Sequence, residues 1–122
     1  LDVDGRALPA RAWTSDVGWF DFDTLCRGPR SARDYLLLAQ RFHTLLMSDV
    51  PVLAADEFDV AARFMNLVDV LYDAGTHLIV SAAAPPPMLY GGERMGFEFQ
   101  RTVSRLHEMQ SRRYLREHRR PD

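Results

Sequence analysis

Apolar and polar positions follow two rhythms along this chain, one suited to strands and one to helices. Thr-Leu-Leu-Met-Ser-Asp-Val at 44–50 is an apolar run of strand length, closed by Pro51, which has no amide donor to continue a central strand. Thr-His-Leu-Ile-Val-Ser-Ala-Ala-Ala at 76–84 is a second such run. The aromatic group Trp19, Phe20 and Phe22 marks a third, ending near Cys26. Between them the spacing turns helical. After the break Arg-Gly-Pro-Arg-Ser, with Ser31 or a neighbour as cap, Tyr35, Leu36, Leu38, Ala39 and Phe42 predict a helix through about His43. Asp56 opens the longest internal helix, about 57–74, with Gly75 just past its end. That helix is apolar on more than one side, which leaves Asp59, Arg63, Asn66, Asp69 and Asp73 for water and predicts burial on two sides. Residues 98–118 predict a long final helix, and residues 1–22, with the turn dipeptide Asp4-Gly5, an antiparallel lead-in.

Strand, helix, strand, helix, strand, helix is the order of right-handed βαβ units. The expectation is an α/β lobe with about three inner parallel strands, crossover helices and a long C-terminal helix, forming one domain over residues 1–122. Ligands of such sheets gather where strands end at their carboxyl side, here Cys26-Arg27, Asp49-Val50-Pro51 and Ser81-Ala82-Ala83.

Composition narrows the chemistry. A chain with 47% hydrophobic and 26% charged residues is that of a globular domain. No apolar run approaches the roughly 18 residues of a membrane span. The first residue is not Met and lies within a strand-like pattern, so the chain reads as a piece of a longer protein. Cys26, the single cysteine, excludes an internal disulfide framework and favours a reducing compartment. All fifteen basic residues are Arg, and a phosphate loop needs a Lys, so the chain cannot hold a nucleotide in that way. Charge is uneven: residues 1–93 carry seven Arg and thirteen acids, residues 94–122 eight Arg and four acids. The basic end suits an anionic partner or simply a solvated helical face, and no motif for specific nucleic acid accompanies it.

Asp49, after an apolar strand, stands where a magnesium-binding carboxylate could sit, with Ser81 as a polar sensor, although Asp is more often a turn or capping residue there. Cys26 with His43 invites a nucleophile-and-base reading but lacks a marked third group, and the four histidines lack ligand spacing, so no metal site is expected. Asp59 and Arg63 are spaced for an i,i+4 ion pair. Arg101 and Arg105 are also four apart, and like charges at that spacing repel. Glu108 can pair with Arg105 only. Arg101 therefore needs either a carboxylate from elsewhere in the fold or an external anion such as a phosphate.

The ordered set Phe-Asp-Phe-Asp-Thr-Leu-Cys at 20–26, Asp-Tyr-Leu-Leu-Leu-Ala-Gln-Arg-Phe-His-Thr at 34–44, Asp49-Val50-Pro51, Ala-Arg-Phe-Met-Asn-Leu-Val-Asp-Val-Leu-Tyr-Asp at 62–73, His-Leu-Ile-Val-Ser-Ala at 77–82 and the block 97–115 resembles the C-terminal third of the ZapE cell-division ATPase family. These are AAA+-like P-loop proteins of bacteria with mitochondrial relatives, and the likeness runs from about Leu1 to Arg116. The resemblance implies a preceding ATPase core with Walker motifs, ATP and Mg as its ligands, and ATP hydrolysis linked to cell division, with this segment inactive alone. It also implies a cytoplasmic setting, or a mitochondrial one for a eukaryotic relative. The partners it implies are the rest of the ATPase chain, a division-ring protein and further copies of the protein. Arg101 and Arg105 then become candidates for sensing the γ-phosphate, in the same subunit or across an interface. A protein-interaction module with no part in nucleotide chemistry is the other expectation. The family usually shows paired arginines before the Phe of the long helix, where this chain has Ala62-Arg63.

Overall fold

The computed structural model describes residues 1–3 and 5–119. A small antiparallel hairpin, β1(Asp2–Val3) and β2(Arg6–Ala7), leads in and turns through Gly5, whose φ of 78° suits glycine. Asp4, the other half of the expected turn dipeptide, lies outside the described residues. Arg6 fastens the hairpin to the first helix through an ion pair with buried Asp34.

The main sheet has four strands in spatial order β3(Ala12–Trp13), β4(Val17–Asp21), β5(Thr44–Val50) and β6(His77–Ala82). β3 lies antiparallel to β4, while β4, β5 and β6 are parallel, so the three inner runs pair as their spacing predicts. The crossovers are α1(Ala32–Arg41), opened by a Ser31–Asp34 capping box, and α2(Phe58–Ala74), closed by Gly75 at φ 73°. Right-handed crossovers between strands laid down in order fall on one side of a sheet, and α1 and α2 pack against each other there. The buried side chains of β4 and β5 face them: Phe20, Leu45 and Met47 are sealed with Phe42, Phe64 and Leu67. Each such side chain contributes about 1.5–3 kcal/mol on burial.

Three boundaries differ from expectation, each for a local reason. β4 ends at Asp21, short of Cys26, and Asp23–Arg27 coil into a π-helical turn. The turn is held by side chains that take its carbonyls: Arg30 Nε donates to Thr24 (3.1 Å), Tyr35 Oη to Leu25 (2.7 Å) and Arg63 Nε to Cys26 (2.6 Å). The long final helix is two helices, α3(Gly96–Met109) and α4(Arg112–Glu117). Ser111 is extended and its Oγ accepts the Tyr114 amide, so it caps a new helix instead of continuing the old one. Asp56 does not cap α2; Glu57 precedes that helix and uses its carboxylate to take the Ala54 amide at 2.9 Å. The breadth of the apolar surface on α2 is explained by its position between the sheet, α1 and α3.

Candidate functional site

Arg101 and Arg105 stand one turn apart on α3 and face α2, where a single carboxylate meets both. Arg101 Nη2 lies 3.2 Å from Asp69 Oδ2, and Arg105 Nη1 pairs with Asp69 Oδ1. Their mutual repulsion, a few tenths of a kcal/mol in an isolated helix, is offset by this shared acid. The two arginines are not equivalent. The Arg105 side chain is 26% exposed and its guanidinium also lies over the Tyr72 ring, 5.1 Å from the centroid. The Arg101 side chain is 60% exposed, with its contact to Asp69 at the outer end of the seam. Two cations thus share one carboxylate, and Arg101 is the more accessible of the two.

Glu108, expected as the partner of Arg105, takes a different donor. Tyr72 Oη donates to Glu108 Oε2 at 2.6 Å, and this bond holds the Tyr72 phenol above its ordinary pKa. The Asp59–Arg63 pair is likewise not formed among the described residues. Arg63 turns inward to the Cys26 carbonyl and pins α2 to the π-helical turn, leaving Asp59 exposed. Asp69 is the residue that local spacing missed. It sits on the polar edge of α2, more than thirty residues from either arginine, and no i,i+4 rule reaches that far.

The other candidates resolve into structural parts. Cys26 is fully buried, and burial pushes its thiol up to about 12, far from a nucleophilic thiolate. His43 does not meet it: Nε2 faces the His118 carbonyl at 2.8 Å and Nδ1 the Thr44 hydroxyl at 3.1 Å. The His43 and His77 rings lie 4.4 Å apart, and burial, then the neighbouring His43, pushes the His77 pKa down. At the carboxyl end of the strands a β-bulge places Asp49 at φ 65°. Its amide donates to Ser81 Oγ (2.9 Å) and its carboxylate pairs with Arg11 (3.1 Å), which also pairs with Asp21 at 2.6 Å. The Asp49 carboxylate is thus already held by a cation of the chain. Among the described residues no group of three or more His, Cys, Asp or Glu could hold a metal ion. Of the two arginines on Asp69, Arg101 carries the more exposed guanidinium. An apolar groove of about 500 Å³ runs between β6 and α3, lined by Phe64, Leu78, Val80, Leu106 and Met109.

A family model described as AFG1-like ATPase matches residues 1–118. Cell division protein ZapE of Escherichia coli K12 is 43% identical over 119 residues, covering 97% of this chain and 32% of that protein. An uncharacterized protein of Schizosaccharomyces pombe is 32% identical over 143 residues, covering 94% and 32%, and Lactation elevated protein 1 homolog B of Danio rerio is 31% identical over 146 residues, covering 93% and 29%. The chain therefore spans about a third of the length of the curated relatives it matches. No solved structure matches it.

Proposed function

The chain belongs to the AFG1-like ATPase family, and on that premise we propose that residues 1–122 form the C-terminal lobe of an ATP-hydrolysing protein linked to cell division. The nucleotide-binding core lies in the part of the relatives that this chain does not span. The lobe is inactive by itself, because it has no Lys and no phosphate-cradling loop. Its contribution to the reaction is Arg101, which offers a charge to the phosphate of ATP once the core brings the nucleotide to the α2–α3 seam. One observation carries this reading: two arginines share Asp69, and the outer one remains largely exposed. Arg105 is the structural member of the pair and positions Arg101 through the common carboxylate.

Full-length protein carrying Arg101→Ala or Arg105→Ala tests the assignment, with kcat and Tm measured on the same samples. Arg101→Ala lowers kcat by about 10³-fold with the fold intact, as loss of an arginine finger does. Arg105→Ala mainly destabilises, by about 1–3 kcal/mol for a partly buried pair. Full turnover in the Arg101 variant would refute the phosphate role.

A second reading, a module that recognises a protein partner, draws on the exposed Arg112, Arg113 and Arg116 of α4, which suit an acidic surface such as that of a division-ring protein. Among the described residues no helix is long and apolar enough to cross a membrane. We place the protein in the bacterial cytoplasm, or in the mitochondrion for a eukaryotic relative, with self-association open to the whole chain.

A further inference from the structure

Among the described residues the middle of the parallel sheet is covered on one face only. On β4 and β5 every second side chain is buried beneath α1 and α2, while Trp19, Leu46 and Ile79, neighbours across β4, β5 and β6, share the opposite face. Ile79 is 59% exposed there, and Ala12 of β3, paired with Trp19, is exposed beside it. Sheets of parallel strands are almost always covered on both faces. Here the order of the strands places both crossovers on the same side, and the other described segments are committed too. The β1–β2 hairpin is tied to α1, and α3 packs on α2.

The open face is organised and not merely exposed. Trp19 Nε1 donates to Ser48 Oγ at 2.6 Å, and Arg11 lies over the Trp19 ring, 5.4 Å from its centroid, while pairing with Asp21 and Asp49. An immobilised tryptophan among aliphatic side chains, rimmed by an arginine and two acids, has the make-up of an interface centre with a polar border.

We propose that this face, with Trp19, Leu46 and Ile79 at its middle, is the seat of the nucleotide-binding core of the same polypeptide. The occupant is chosen on length: relatives continue for about twice as many residues again, within the same molecule and so at high effective concentration. The inference rests on the reading that this chain is one lobe of a longer ATPase.

The test uses full-length protein carrying Ile79→Cys, Ala12→Cys or, as reference, Leu36→Cys, since Ala12 pairs with Trp19 on the open face while Leu36 on α1 is 48% exposed and lies away from it. Cys26 is buried and adds little background. Each variant is labelled with a maleimide in parallel with unsubstituted protein. The cysteines at 79 and 12 react at least about tenfold more slowly than that at 36, a protection that measures local opening. Equal rates at all three positions overturn the proposal. So does protection that vanishes on dilution, which assigns the face to a second copy, and so does a reading frame with nothing beyond these residues. ATP turnover of unsubstituted protein is scored separately. Protection without turnover sinks the ATPase reading and keeps the docking; turnover without protection does the reverse.

Discussion

The two faces of the β3–β6 sheet are built from the same strands and yet differ in nearly every physical respect. On the helix side, Phe20 meets Phe42 edge-on at 6.1 Å and Phe22 meets Phe64 at 5.8 Å, in a core with no solvent access. On the other side the corresponding row holds Trp19, Leu46 and Ile79 under partial or no cover, with charged Arg11, Asp21 and Asp49 beside it. The difference shows that one alternation along β4 and β5 serves two purposes: one set of positions makes the lobe fold, and the other leaves a surface whose cover must come from elsewhere.

Substitutions should separate the two faces by size of effect. Phe20→Ala on the covered face should cost about 3–5 kcal/mol in urea unfolding, since it removes a ring and leaves a cavity. Gly18→Ala is next, at about 1–3 kcal/mol, because an added Cβ would lie 2.8 Å from the rings of Phe20 and Phe42. A Gly18→Ala protein as stable as the parent would show that those rings can move aside. The pH dependence is a smaller effect. The folded state holds the His77 pKa below its ordinary 6.5, so the unfolded chain binds the proton more readily and stability falls as pH drops below about 6.5. His77→Gln should flatten that slope in melts taken between pH 7.5 and 5; an unchanged slope assigns it to other groups. The smallest effect belongs to the open face, where Ile79→Thr should change the unfolding free energy of residues 1–122 by less than about 0.5 kcal/mol. A loss of several kcal/mol there would erase the contrast.

Much of the architecture was legible in the sequence because it depends on short-range periodicity. The runs at 44–50 and 77–82, the helix closed by Gly75 and the Ser31 cap are each written within a few residues of where they act. The family was equally legible, from an ordered set of short blocks. The features that escaped depend on partners distant in the chain. The π-helical turn after Asp21 exists because Tyr35 and Arg63 supply donors from other elements. The acid shared by Arg101 and Arg105 is supplied by Asp69, brought close only by packing of α2 against α3. The break at Ser111 was in principle readable, since Ser is a preferred cap, but the apolar spacing of Leu106, Met109, Tyr114 and Leu115 runs across it and masks it.

The order of the parallel strands also governs how the lobe can assemble as it is synthesised. No two of β4, β5 and β6 are joined by a tight turn, so each pairing waits for a complete helix to be made. β4 has no parallel neighbour until Val50 has emerged, and β5 lacks its second until Ala82. Such delayed, non-local pairing slows folding and prolongs the exposure of unpaired strand edges. The bond between the His43 ring and the His118 carbonyl spans 75 positions, so the start of the central strand gains this partner only when nearly the entire lobe has left the ribosome.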